Sequence, residues 1–120
     1  MNPPITMFCL VALGAWLALP SAKGQDGQDD EEFETFLEPL LADNCMKCHG
    51  GEKVKGKVNL KELTTAEQFL AKPALIEQMI EALDARNMPP EDGPELASDI
   101  RAKMLASLRA HLRTSVAQQK

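Results

Sequence analysis

Cys45-Met46-Lys47-Cys48-His49 stands near the middle of the chain, and the reading of every other segment depends on it. Two cysteines three positions apart, followed at once by a histidine, form the C-x-x-C-H string of covalent haem attachment. The spacing has a mechanical reason. At a helix end the two thiols reach the two vinyl groups on one porphyrin edge and form thioethers, while the adjoining imidazole projects over the ring face onto the iron. The string occurs once. It implies one haem c, attached through Cys45 and Cys48, with His49 as the proximal iron ligand. Other uses of the pair fit less well. A thioredoxin-type redox pair needs a βαβ setting, and no useful strand-like alternation is present. A structural zinc wants four ligands, whereas the only other histidine is His111 and no second cysteine pair follows. A disulfide between Cys45 and Cys48 would close a tiny loop and stabilise little.

Working outward, Phe33, Phe36, Leu37, Leu40 and Leu41 recur at helical spacing before the motif. Pro39 inside that run predicts a kink or a helix restart with proline in the first turn. After the motif, Gly50 to Asn59 holds three glycines and alternating lysines and reads as an irregular loop. Thr65 with Gln68, or Thr64 with Glu67, predicts a capping box opening a short helix through Leu70. Pro73 starts a stronger helix with Leu75, Ile76, Met79, Ile80 and Leu83 on its apolar face and Asn87 as its stop. The last helix is predicted from Pro94 to Leu112, carrying Leu96, Ile100, Met104, Leu105 and Leu108. The expectation is an all-α domain of about four helices around one covalently bound haem, with irregular stretches at 50–63 and 87–93.

The iron needs a sixth ligand, and Met88 is the nominee. It lies in the Asn87-Met88-Pro89-Pro90 loop, where the prolines hold the backbone extended and present the thioether rigidly. Met79 and Met104 sit on apolar helix faces and read as core, and Met46 lies inside the attachment motif. His111 is the rival, since a bis-histidine haem is chemically reasonable, but between Arg109 and Arg113 it reads first as a solvated residue. An open or water-filled position is the third possibility.

The ends of the chain read differently. Ile5 to Leu19 is an apolar run of about 15 residues closed by Pro20, the size of a signal-peptide core and short of the ~20 residues of a spanning helix. Ala22-Lys23-Gly24 fits a small-x-small cleavage site, so residues 1–24 are expected to be a signal peptide. A retained N-terminal anchor is the alternative, because no lysine or arginine precedes the run. Residues 25–32 are acidic and free of apolar side chains, and predict a flexible leader. The domain is expected over 33–113, with 114–120 as a C-terminal tail. Of 13 basic and 18 acidic residues only Lys23 would leave with the signal, so the mature chain stays acidic. That balance, with 4% aromatic residues and no basic–aromatic interleaving, argues against nucleic-acid binding. Lys47, Lys53, Lys55, Lys57 and Lys61 cluster around and after the motif. They read either as an ordinary solvated loop or as a basic rim that steers acidic redox partners.

The segment from Phe36 to Leu112 resembles the c-type cytochrome domains of planctomycete-type bacteria, within the class I mono-haem cytochrome c superfamily. The resemblance rests on Pro39-Leu40-Leu41-Ala42-Asp43-Asn44 running into the motif, on Gly56-Lys57-Val58-Asn59-Leu60, on Asn87-Met88-Pro89-Pro90, and on Leu96 to Leu112 as the closing helix. It implies an all-α haem fold with His49 and Met88 as axial ligands. Two departures matter. The Gly-Pro dipeptide whose carbonyl usually accepts the proximal imidazole's hydrogen bond is missing, so another carbonyl near Gly56 must serve. The tryptophan or tyrosine often found near the propionates is also missing. The expected function is that of an exported, periplasmic single-electron carrier rather than an enzyme, without stable membrane insertion once the signal is cleaved. A haem-bearing subunit of a larger respiratory complex is the alternative. A haem enzyme or gas sensor with an open distal site is a more distant one.

Overall fold

The computed structural model describes Gly14-Ala15 and residues 25–120. Apart from that dipeptide, the expected signal peptide lies outside the described residues. From Gln25 onward the chain is mainly helical: α1 (Gln25–Glu32), one wide π-helical turn (Phe33–Leu37), α2 (Glu38–Asn44), α3 (Met46–His49), α4 (Ala66–Leu70), α5 (Pro73–Asp84) and α6 (Ser98–Gln118). The only strand among the described residues is Lys53–Val54, where Val54 bridges to His49. The protein is all-α as expected, with more and shorter helices than the four predicted. No helix among the described residues is long and apolar enough to cross a membrane.

One stripe at four-residue spacing, Phe33, Leu37 and Leu41, is fully buried along the first helical stretch. Pro39 falls in the first turn of α2, where its missing N–H breaks no helical bond. The longest contact of the fold runs between α5 and α6. Ile76 and Leu83 of α5 join Met104, Leu105 and Leu108 of α6 in the core. Each fully buried side chain of this kind contributes about 1.5–3 kcal/mol of transfer free energy. The predicted Thr65–Gln68 cap forms in part: Gln68 donates its backbone N–H to Thr65 Oγ1 at 3.2 Å, but Gln68 Oε1 accepts from the backbone N–H of Thr64, one residue before the N-cap, at 2.9 Å. The stop of α5 falls one residue before the predicted Asn87. Arg86 takes the left-handed conformation (φ 60°), and the Asn87 N–H reaches back to the Ala82 carbonyl at 2.9 Å.

Three expectations are corrected. Residues 25–32 are not a free leader but α1, which packs on α4 and α6 and buries Asp29. Helix α6 begins at Ser98 instead of Pro94 and continues to Gln118. Residues 114–120 are therefore no separate tail; Ser115 is buried and its hydroxyl donates to the Leu70 carbonyl, tying the last turns of α6 to α4. His111, expected in solvent, is fully buried. Its ring lies edge-on to Phe69 at 5.7 Å and to Phe33 at 6.5 Å, its Nδ1–H donates to the Ser107 carbonyl at 2.9 Å, and Nε2 lies 3.4 Å from the Asp29 carbonyl oxygen. A polar residue flanked by arginines points inward here because α1 covers that face of α6.

Candidate functional site

The short helix α3 ends the first helical run. Cys45 leaves helical geometry at its N-terminus (φ −121°), and the Cys45 carbonyl accepts from both the Cys48 N–H at 3.2 Å and the His49 N–H at 2.9 Å. That single turn puts Cys45, Cys48 and His49 on one short rigid element. Gly50 then turns away where only glycine fits, since a Cβ there would lie 2.9 Å from the Met46 carbonyl oxygen.

The loop that follows folds back onto His49 at two levels. The Leu60 N–H donates to the His49 carbonyl at 2.6 Å, and the His49 Nδ1–H donates to the Lys55 carbonyl at 2.8 Å. Gly56 and Lys57 are both left-handed (φ 64° and 60°), which turns the Lys55 carbonyl toward the ring. This bond sets the tautomer: with the proton on Nδ1, Nε2 keeps its lone pair free as a ligand atom.

Both thiols are free and half-buried. Burial pushes the Cys45 thiol from an ordinary 9.0 up to about 11. A thiol so far from ionisation at neutral pH is a poor nucleophile, the reverse of what a thioredoxin-type pair requires. No group of three or more His, Cys, Asp or Glu among the described residues is arranged to hold a metal ion.

Cys45, Cys48, His49 and Met88 all line one cleft of about 740 Å³. Its walls are largely apolar, supplied by Val58, Leu75, Met79 and Leu96. Helix α5 explains how: Ile76 is buried in the core, while Leu75, Met79, Ala82 and Leu83, spaced four, three and one apart, line the cleft, with Leu83 belonging to both core and cleft. Met79, read from the sequence as core, is half-buried against the core and also lines the cleft; Met104 is buried as expected and lines it too. The helical periodicity was legible, but nothing in the sequence said that it faced a cleft. His111 is not among the lining residues and lies in the core against Phe33 and Phe69.

Met88 belongs to a loop that α5 and α6 hold from both sides. Its N–H donates to the Ala82 carbonyl at 3.2 Å, and its carbonyl accepts from Arg101 Nη1 at 2.8 Å. The Met88–Pro89 peptide is cis. The residue lines the cleft and remains 38% exposed. Around the rim, Lys47 and Lys55 stand by the His49 side and Asp92 by the Met88 loop. Lys57 and Lys61 are also exposed.

The donor set suits a covalently held haem: two thiols and an imidazole on one rigid turn, a thioether from a distant loop, and apolar walls between them. Comparison with family models, curated proteins and solved structures found no match to this chain.

Proposed function

We propose that the protein is an exported mono-haem c-type cytochrome that carries single electrons. One observation carries the reading: Met88, 39 residues beyond His49 in the chain, lines the same cleft as Cys45, Cys48 and His49. A motif match alone predicts no such meeting of a sulfur donor with the histidine.

Bound in the cleft, a haem c would supply a one-electron iron couple. The protein's own groups account for the rest. Cys45 and Cys48 would fix the group covalently, and His49, held by Lys55, would offer Nε2 without a change of tautomer. Met88 would offer a soft sulfur, which favours ferrous iron and raises the potential. The apolar walls from Val58, Leu75 and Leu96 keep water out and make the extra charge of the oxidised state costly, which pushes the potential the same way. The resemblance of residues 36–112 to planctomycete-type cytochrome domains agrees with these roles. The placement of His111, buried against Phe33 and Phe69 and not lining the cleft, supports Met88 over it as sixth ligand. Acidic redox partners would dock at the lysine rim.

Expression with a haem-maturation system tests the proposal. The expected product has lost residues 1–24, carries the mass of one haem, and shows a methionine–iron charge-transfer band in the near-infrared when ferric. Colourless, folded protein with two free thiols overturns it. High-spin ferric iron would instead favour an enzyme or gas sensor with an open distal position.

A further inference from the structure

Arg101 is the one guanidinium that joins the loop carrying Met88 to the helical core. Its Nη1 donates one proton to the Leu83 carbonyl at 2.9 Å and the other to the Met88 carbonyl at 2.8 Å. Leu83 is in the last turn of α5 and its side chain is buried in the core, whereas Met88 lies beyond the helix in an exposed loop. One nitrogen atom of α6 thus spans the fixed end of α5 and the loop that leaves it.

The arrangement is more than a surface contact. Arg101 is half-buried, and its Nε is buried without a partner, so the guanidinium gives up water to sit here. Hydrogen bonds from a charged donor to carbonyl oxygens are stronger than neutral ones, and partial burial raises their worth. Together with the Met88 N–H bond to the Ala82 carbonyl, the clamp satisfies both backbone polar groups of Met88. The Met88 backbone is then set by the α5–α6 core, leaving the side chain free to serve the cleft.

We propose that Arg101 is a positioning residue: it holds the Met88 thioether at the distance and angle at which it competes successfully for the sixth coordination position. This inference rests on Met88 being an axial ligand. Without the clamp the loop would visit conformations in which the sulfur is withdrawn and an external ligand enters.

The test uses the haem-loaded R101M and R101K variants beside the parent. R101M keeps the apolar stem and removes both donors. Its methionine–iron charge-transfer band should weaken, and exogenous imidazole should bind about tenfold more tightly. R101K retains one charged donor and should fall between R101M and the parent. Hydrogen exchange should accelerate at the Met88 amide but not at the Ile80 and Leu83 amides of α5. Unchanged band and imidazole affinity in R101M overturn the inference and leave the Met88 assignment standing. Equal acceleration throughout α5 also overturns it, since Arg101 would then be merely structural. A parent protein without the band removes the inference and the Met88 assignment together. Should R101M fail to fold, R101K decides by the same readouts.

Discussion

The His49 imidazole donates its Nδ1 proton to the Lys55 carbonyl at 2.8 Å, across a loop that the residues between them close by themselves. The ring is thereby oriented by backbone six positions downstream. The lysine side chain plays no part in that bond, so the loop geometry is what matters.

Gly56 is the residue on which that geometry turns. It sits at φ 64° with no heavy atom near its would-be Cβ, so a substitution is opposed by backbone strain and not by a clash. Gly56→Val should cost about 1–2 kcal/mol in thermal unfolding. In haem-loaded protein it should also shift the midpoint potential, because the Lys55 carbonyl leaves the ring. An unchanged potential would mean that this bond does not tune the iron.

The half-buried Cys45 thiol should make the haem-free chain sensitive to alkali. Between about pH 9 and pH 11 the unfolded chain has lost a proton that the folded chain still holds. The unfolded state therefore binds fewer protons there, and stability falls as pH rises through that window. The full loss amounts to about 2–3 kcal/mol. Denaturant unfolding from pH 8 to pH 11 should show it, and Cys45→Ala should flatten the slope. Protein with a thioether at Cys45 has no proton to lose and should lack the dependence.

Replacing His111 separates stability from ligation. His111→Ala empties a fully buried site between Phe33 and Phe69 and leaves the Ser107 and Asp29 carbonyls without the ring. A loss of about 3 kcal/mol is expected from cavity and hydrogen-bond terms together. The ferric spectrum of the folded fraction should match the parent's. A changed axial-ligand signature would bring His111 back as an iron ligand.

The lysine rim offers a kinetic test. Lys55 lines the cleft and is exposed, and Lys57, two residues on, is exposed as well. The double change Lys55→Glu with Lys57→Glu should slow reduction by an acidic redox protein severalfold at low ionic strength, and the gap should close in high salt. Equal rates at low salt would make the lysines ordinary solvated residues.

Much of the helical layout was readable because its signals are local. Thr64, Thr65 and Gln68 cap α4 by contacts within one turn, and Pro73 opens α5 because its ring suits a first turn. The misreadings share a physical cause. Asp29, His111 and Ser115 are polar, and each looks solvated when only its neighbours in sequence are considered. All three are buried because α1, α4 and α6 cover one another, a fact of packing between segments far apart in the chain.

The candidate site divides the same way. Residue order alone supplied the C-x-x-C-H string and the nomination of Met88, which rest on covalent spacing and turn chemistry, and the expectation of a carbonyl near Gly56, which rests on the resemblance. Tertiary structure alone decided that the Lys55 carbonyl meets the His49 ring, that Met79 lines the cleft, and that His111 lies away from it. It also brought Arg101 to Met88. Such choices depend on which faces of α5 and α6 meet, and a helical stripe says that a face is apolar without saying what will cover it.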